Sequence, residues 1–270
     1  MLVDFHCHSN CSDGELTPRK LIELAQTRNI SQLAITDHDS IAAFAQIKDL
    51  KTPMQIITGV EFSTTWNKIG VHIVGLNFDL ASDSIAHAVK YQQNARKLRA
   101  QIISNKLGRI GLHNAYQTLK KCKPHQQIGR GDFANLLVEQ GICTSFAQAF
   151  KKYLGAGKTG DVKNNWLPLD AIVQAIVKAG GVAIIAHPLY YKLTNCKLKR
   201  FIKDFKQAGG GGMEVINGYQ NPDKTLYLQQ LCQQFDLKMS LGSDFHRPTN
   251  YSTLGVDTKL LPQFKSLFNS

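Results

Sequence analysis

The chain has 270 residues, of which 43% are hydrophobic, and carries a formal net charge of +12. This composition excludes a disordered polypeptide and fits one barrel-sized α/β domain or two smaller ones. No apolar run approaches the roughly 20 residues of a membrane span, and the opening Met1-Leu2-Val3-Asp4 lacks a basic leader. We therefore expect no membrane partner and no export signal. Six cysteines without a CxxC pair predict a reduced, cytoplasmic protein.

The apolar pattern predicts short strands that alternate with helices. Thr17 and Pro18 mark the first helix start, as N-cap and first helical residue. The predicted strands lie at residues 2–6, 31–36, 55–60, 71–76, 182–186, 213–216 and 238–241. The predicted helices lie at residues 17–29, 41–48, 82–107, 132–139, 145–153, 169–178, 198–207 and 223–235. This alternation is typical of a parallel, barrel-like α/β fold.

Residues 82–166 interrupt the alternation and carry most of the excess charge. This segment has fourteen Lys and Arg against four Asp and Glu, or +10, while the remainder of the chain sums to +2. We predict a basic helical insertion here, between barrel segments 1–81 and 167–270. Its charge indicates a polyanionic substrate, although a solvated basic face remains the alternative.

Histidines and carboxylates follow the predicted strand ends. His6 and His8 are two apart, so in a strand they point to one face, and Asp13 follows in a turn. Satisfied surface histidines are the alternative for that pair alone. Parallel barrels carry their active sites at the carboxyl ends of their strands. The nine candidate metal ligands are His6, His8, Asp13, His38, Glu61, His72, His187, Asp244 and His246.

Mixed imidazole and carboxylate ligands suit Mn, Zn or Fe. Nine donors exceed the needs of one ion, so we expect several ions, with Glu61 as the bridging carboxylate. Asp37 and Asp39 flank His38. Either one orients a ligand imidazole by a hydrogen bond, or Asp39 caps the following helix.

Five motifs carry a resemblance to a known family. They are His6-x-His8 with Ser12-Asp13-Gly14, Thr36-Asp37-His38-Asp39, Gly59-Val60-Glu61, Ala186-His187-Pro188, and Gly242-Ser243-Asp244-Phe245-His246. In this order they resemble the PHP (polymerase and histidinol phosphatase) family. His72 within its strand, followed by the insertion, resembles the subgroup of 3',5'-nucleoside bisphosphate phosphatases and RNase AM-type 5'-3' exoribonucleases.

The resemblance implies a distorted (β/α)7 barrel, with a helical insertion after strand four, and a centre of three divalent metal ions. Manganese is the expected metal, with Mg, Zn or Fe as alternatives. The implied ligand sets are His6, His8, Glu61 and Asp244; Glu61, His72 and His187; and Asp13, His38 and His246. The implied nucleophile is a metal-bound hydroxide that attacks phosphorus in line, so no catalytic side chain is assigned.

Four cations of the insertion are candidates for substrate binding: Arg96, Arg99, Arg130 and Lys158. Arginine binds phosphate through a planar pair of donors, and Arg130 matches a phosphate-binding position of the subgroup. Gly131-Asp132 and Ala156 depart from the subgroup pattern. A solvated helix face is the alternative for Arg96 and Arg99.

We expect a metal-dependent phosphoesterase in nucleotide or RNA processing, without an obligate protein partner. Its expected reaction is removal of the 3'-phosphate from 3',5'-nucleoside bisphosphates, 5'-3' trimming of short 5'-phosphorylated RNA, or both. The alternatives are a histidinol-phosphatase-like phosphomonoesterase and a nucleic-acid-binding module with a structural metal site.

Overall fold

The computed structural model describes residues 1–124, 126–163, 165–249, 253–261 and 268. The chain divides into two compact units. The barrel unit comprises Met1–Lys90 and Trp166–Ser270, and the insertion unit comprises Tyr91–Asn165. Among the described residues, no helix combines the length and apolar character that a membrane crossing requires.

One sheet organises the barrel unit. Its strands are β1 (Leu2–Cys7), β2 (Ile30–Ile35), β3 (Gln55–Trp66), β4 (Ile69–Leu76), β5 (Val182–Ile185), β6 (Gly212–Asn217), β7 (Lys238–Gly242) and β8 (Val256–Asp257). Their order is β7-β6-β5-β4-β3-β2-β1-β8. A parallel bridge between Cys7 and Phe245 brings the segment after β7 against the end of β1, so the sheet curls into a nearly closed barrel.

The strand pattern confirms the distorted α/β barrel but corrects two details. The β4 strand is antiparallel to both β3 and β5, whereas the alternation predicted a parallel sheet. A hairpin explains the difference: β3 continues past Glu61 to Trp66, and Asn67 and Lys68 turn the chain with φ of 46° and 67°. Two positive φ values are the signature of a tight type I′ hairpin. The second correction is β8, an unpredicted strand that pairs antiparallel with β1.

The barrel helices cover the outside of the sheet with apolar side chains. They are α1 (Pro18–Thr27), α2 (Ala42–Ile47), α7 (Leu169–Lys178), α8 (Asn195–Gln207) and α9 (Pro222–Phe235). The hydroxyl of Thr17 accepts the Lys20 N–H, which confirms the predicted start of α1. Helix α7 buries Ile172, Val173 and Ile176 in the main core, because these positions share one helix face.

The insertion unit has an apolar core of its own. Helix α3 (Asp83–Gly108) starts within the barrel unit and continues into the insertion unit, where α4 (Ala115–Cys122), α5 (Arg130–Glu139) and α6 (Phe146–Ala149) follow. A turn of π-helix, Phe150–Leu154, extends α6. Leu107, Phe133 and Leu137 are fully buried in this core. The periodicity did not predict α4, whose N-cap Asn114 has a φ of 54° and supplies no side-chain cap.

Candidate metal centre

The end of β1 delivers two imidazoles to the interior. His6 and His8 are fully buried, and their Nε2 atoms lie 3.1 Å apart on one side of the strand. A close approach keeps this geometry: a Cβ on Gly242 would lie 2.3 Å from the Cβ of His6. Only glycine at that position of β7 lets the His6 ring stay where it is.

Two carboxylates complete a four-residue group with these histidines. His6 Nε2 lies 3.3 Å from Glu61 Oε2 and 3.5 Å from Asp244 Oδ1, and His8 Nε2 lies 3.4 Å and 3.3 Å from the same atoms. Donor atoms at tetrahedral angles, each about 2.0–2.2 Å from one ion, are separated by about 3.3–3.6 Å. The donor atoms of His6, His8 and Glu61 all lie within 4.8 Å of one another, so these three side chains fit one ion, and Asp244 Oδ1 lies beside both imidazoles.

Glu61 is the common member of the centre. It is fully buried in the middle of β3, not at a strand end as predicted. Its Oε1 lies 2.7 Å from His72 Nδ1 and 2.9 Å from His187 Nε2, and its Oε2 lies 2.8 Å from His38 Nδ1. The two oxygens thus face different sets of imidazoles, as a bridging carboxylate requires.

A third group forms around Asp13. His246 Nε2 lies 3.4 Å from Asp13 Oδ1, and His38 Nε2 lies 3.7 Å from Asp13 Oδ2. His8 also reaches this group, because its Nδ1 lies 3.7 Å from Asp13 Oδ1. The Asp13 side chain is 53% exposed, so this is the side of the centre that solvent reaches.

Burial and neighbouring charges shift the pKa values of several donors in different directions. Burial of His6 is outweighed by Glu214 and Glu61, which raise the pKa of that imidazole well above its ordinary value. Burial opposes ionisation of Glu61, but His38, His72 and His6 outweigh it and hold the pKa of that carboxyl well below its ordinary value. Asp244 behaves in the same way: burial is outweighed by His6 and His8, and its pKa is lowered. Burial, followed by the charges of His246 and His38, lowers the pKa of His8 to about 4. Metals bind deprotonated carboxylates and neutral imidazoles.

The residues fit divalent metal ions. Within the described part of the chain, Glu61 Oε2 and His8 Nδ1 are buried without a hydrogen-bond partner, a costly state for polar atoms. Three groups of at least three His, Asp or Glu side chains have their donor atoms within 4.8 Å of one another. Two of these groups share Glu61 and two share His8. Ions among these donors would satisfy the buried atoms.

Comparison with known proteins identifies the family. The PHP domain model matches residues 4–149. A 5'-3' exoribonuclease of Haemophilus influenzae is 40% identical over 96% of this chain and 94% of its own length. A 3',5'-nucleoside bisphosphate phosphatase of Chromobacterium violaceum is 36% identical over 91% of this chain and 87% of its own length. The chain belongs to the PHP domain family.

A solved structure shares the fold of this PHP protein. An amidohydrolase from Chromobacterium violaceum, with bound sulfate and no metal, superposes with a TM-score of 0.84 at 35% identity. The match covers 94% of this chain and 91% of that protein. The PHP family and the barrel fold, both expected from the motif series, are therefore confirmed.

Glu214 is a functional residue of the PHP centre that the sequence reasoning missed. Its Oε1 accepts a hydrogen bond from His6 Nδ1 at 2.6 Å, and its Oε2 accepts the His187 N–H at 2.6 Å. This contact leaves the His6 Nε2 lone pair directed at the centre. The only signal in the sequence is one carboxylate inside the apolar strand Met213–Ile216.

Asp37 and Asp39 serve the backbone around the centre. Asp37 accepts hydrogen bonds from the Ser9 N–H and from the hydroxyls of Ser9 and Ser12, at 2.6–2.8 Å. It thereby holds the turn that carries Asp13. Asp39 accepts the Ser63 N–H at 2.8 Å. The predicted N-cap role of Asp39 is wrong, because Ile41 is the N-cap of α2.

The predicted substrate cations lie in the insertion unit. Arg96 and Arg99 stand one turn apart on α3, half-buried, and Arg130 is the first residue of α5. Burial, followed by the charges of Arg130 and Arg96, lowers the pKa of Arg99 to about 10. Asp132 accepts the Gly129 N–H at 2.7 Å and so fixes the start of α5. Lys158 is exposed in a turn, where its N–H donates to the Gly155 carbonyl.

Proposed function

We propose that this PHP protein is a metal-dependent phosphoesterase of nucleotides and RNA. It removes the 3'-phosphate of 3',5'-nucleoside bisphosphates and trims short 5'-phosphorylated RNA from the 5' end. The observation that carries the proposal is the set of imidazoles and carboxylates that converge on the two oxygens of Glu61. The names of the Haemophilus influenzae and Chromobacterium violaceum relatives support the substrate class.

We propose three divalent ions, held by the three ligand sets predicted from the sequence, with Glu61 shared between two sets. Manganese is the metal we propose, because mixed imidazole and carboxylate donors suit it. Bound ions of this kind lower the pKa of water and neutralise phosphate oxygens. His8 belongs to two groups of neighbouring donor atoms. It therefore also lies next to the ligand set that contains Asp13.

The protein's own residues prepare the reaction in three ways. Glu214 orients His6 through its Nδ1 atom, so the ring cannot rotate away from the centre. Asp37 fixes the turn that presents Asp13. Full burial of His6, His8 and Glu61 excludes water from one side of the centre and strengthens every electrostatic interaction there.

We propose that Arg130, Arg99, Arg96 and Lys158 bind a second phosphate of the substrate. Three arginines near one another repel, and a polyanion relieves that repulsion. Arg130 is also the first residue of α5, and anions are favoured at a helix N-terminus. The insertion would thus select bisphosphorylated nucleotides and 5'-phosphorylated RNA over substrates with one phosphate.

A substrate panel tests the proposal. Purified protein with Mn²⁺ is assayed on adenosine 3',5'-bisphosphate, a 5'-phosphorylated RNA oligomer and histidinol phosphate, with Asp13→Ala as the blank. We expect phosphate release from the first and mononucleotide release from the second. Preference for histidinol phosphate would favour a phosphomonoesterase, and no metal-dependent release from any substrate would favour a binding module. A cytoplasmic location stays a prediction.

A further inference from the structure

A small cavity adjoins the metal centre within the barrel unit. Its volume is about 180 Å³, and His187 forms part of its wall together with Tyr190, Asn217, Tyr219 and Lys224. Pockets for drug-sized ligands measure roughly 300–1,000 Å³, so this cavity suits one flat ring system. Because His187 also contacts Glu61, an occupant of the cavity would lie next to any phosphate held at the centre.

Two tyrosines present bare aromatic surface at this cavity. The Tyr219 side chain is 99% exposed and that of Tyr190 is 65% exposed. The Tyr190 ring stacks on His187, with centroids 5.1 Å apart and an interplanar angle of 26°. Exposed aromatic rings beside a phosphate-processing centre are the platforms on which single-stranded nucleic acids stack their bases.

The backbone holds both tyrosines at strand ends. Tyr190 lies in the 3₁₀ turn Pro188–Tyr191, which follows β5. Tyr219 follows β6 through Gly218, whose φ is 58° and whose N–H donates to the Gly242 carbonyl at 2.9 Å. That positive φ favours glycine, so the turn has a defined shape and fixes the position of the Tyr219 backbone beside the cavity.

Asn217 adds a polar group with a defined orientation. It is 9% exposed, and its Nδ2 donates to Glu214 Oε2 at 3.1 Å. A carboxylate only accepts, so the nitrogen must face Glu214. Within the described residues, the other amide atom, Oδ1, is buried and has no partner. An acceptor of this kind in a cavity wall matches a ligand with N–H or O–H donors.

Taken together, these features describe one class of ligand. A nucleobase has an aromatic face for Tyr219 and Tyr190 and N–H donors at its edge for Asn217. Lys224, on the same wall, suits the phosphate that a nucleotide carries beside its base. We propose that this cavity is a nucleobase subsite, which binds the base of a nucleotide adjoining the scissile phosphate. The proposal rests on the proposed function, since it gives that reaction its base contact.

The kinetic test compares matched substrates. A 5'-phosphorylated RNA oligomer is assayed beside versions that carry an abasic ribose at the first or the second nucleotide. For the wild-type protein we expect one abasic version to lose between about 5-fold and 150-fold in kcat/KM, the worth of one base stacked on an aromatic ring. In Tyr219→Ala that ratio should approach one, whereas Tyr219→Phe, which retains the ring, should keep it. Leu226→Ala, an exposed apolar change on α9, serves as the control.

A binding measurement separates this subsite from the catalytic proposal. Phosphorothioate-linked RNA with 2-aminopurine at the same positions reports stacking by fluorescence quenching and needs no turnover. We expect saturable quenching with the wild-type protein and with Tyr219→Phe, and its loss with Tyr219→Ala. Quenching of this probe, together with no hydrolysis of the unmodified RNA oligomer by the Mn²⁺-loaded protein, would refute the proposed function and keep the subsite. The subsite would be refuted if Tyr219→Ala quenched the fluorescence as much as the wild type does. It would also be refuted if the wild-type kcat/KM were the same for the intact oligomer and for both abasic versions.

Discussion

The contact between Glu214 and His6 yields a sharp prediction for metal binding. Three donors converge on the Glu214 carboxylate: His6 Nδ1 at 2.6 Å, the His187 N–H at 2.6 Å and Asn217 Nδ2 at 3.1 Å. Glu214→Gln keeps the shape but replaces one acceptor oxygen with a donor NH₂ group. Either at least one of the three hydrogen bonds is then lost, or His6 takes the tautomer that protonates Nε2, the atom that faces the centre. The negative charge is lost as well.

The size of the effect follows from these contacts. A hydrogen bond to a charged group contributes about 1.5–3 kcal/mol, and loss of a partner behind a metal ligand costs about 10- to 100-fold in metal affinity or activity. We therefore expect the Mn²⁺ concentration for half-maximal hydrolysis to rise about 10- to 100-fold in Glu214→Gln. This range corresponds to about 1.4–2.8 kcal/mol of binding free energy.

The assay is a metal titration. Metal-stripped wild-type and variant proteins are titrated with Mn²⁺ while phosphate release is followed, and direct metal binding is measured by calorimetry. Glu23→Gln, an exposed glutamate on α1, is the matched control and should titrate like the wild type. If Glu214→Gln had the Mn²⁺ affinity of the wild type, the orienting role of Glu214 would be refuted.

Three further predictions follow from other parts of the molecule. Arg130→Ala should lower kcat/KM about 10- to 100-fold on 3',5'-bisphosphorylated nucleotides and less on monophosphorylated ones, because a charge-assisted phosphate contact is lost. Lys97→Ala, which removes an exposed cation on α3, is the control. Equal losses on both substrates would contradict the proposal that Arg130 binds a second phosphate. Removal of metal by EDTA should lower the Tm in calorimetry by about 5–10 °C for each ion lost, relative to protein at 100 times the metal Kd. An unchanged Tm would argue against ions in the buried centre. Gly14→Ala should abolish most activity while the far-ultraviolet circular dichroism spectrum stays native. A Cβ at this position would lie 2.3 Å from the His8 carbonyl oxygen and would displace the turn that carries Asp13. Full activity of the variant would show that the turn adapts.

The fold was largely predictable because strands and helices carry local signals. Alternating apolar runs and helix caps such as Thr17 act over a few residues. They placed the starts of seven strands within two positions of the observed starts, but ended β3 six residues too early. The hairpin escaped because Asn67-Lys68 lacks the glycine usual in such turns. The polar run Ser63-Thr64-Thr65 also hid the continuation of β3, although two of its side chains are buried.

The centre was predictable where its residues belong to motifs. Each motif combines ligands with a small or turn-forming neighbour, and such neighbours mark strand ends. Glu214 belongs to none of the five motifs, and its partner His6 lies 208 positions away. Only the folded chain joins them. The roles of Asp37 and Asp39 were equally hard to predict. The sequence shows only that an aspartate lies beside a ligand, and it does not show whether that aspartate contacts an imidazole or a backbone amide.

The closing of the barrel at β1 also has a consequence for how the protein is made. Asp4 accepts hydrogen bonds from the Ser243 N–H and hydroxyl, 239 positions along the chain, and His6 meets Asp244. During synthesis His6 and His8 emerge from the ribosome long before these partners, at about 5–20 residues per second. For that interval the two imidazoles have no centre to join. With the proposed ligand sets, metal capture by the complete centre is therefore a late event, and a nascent or prematurely terminated chain that lacks Asp244 and His246 lacks two of the proposed ligands.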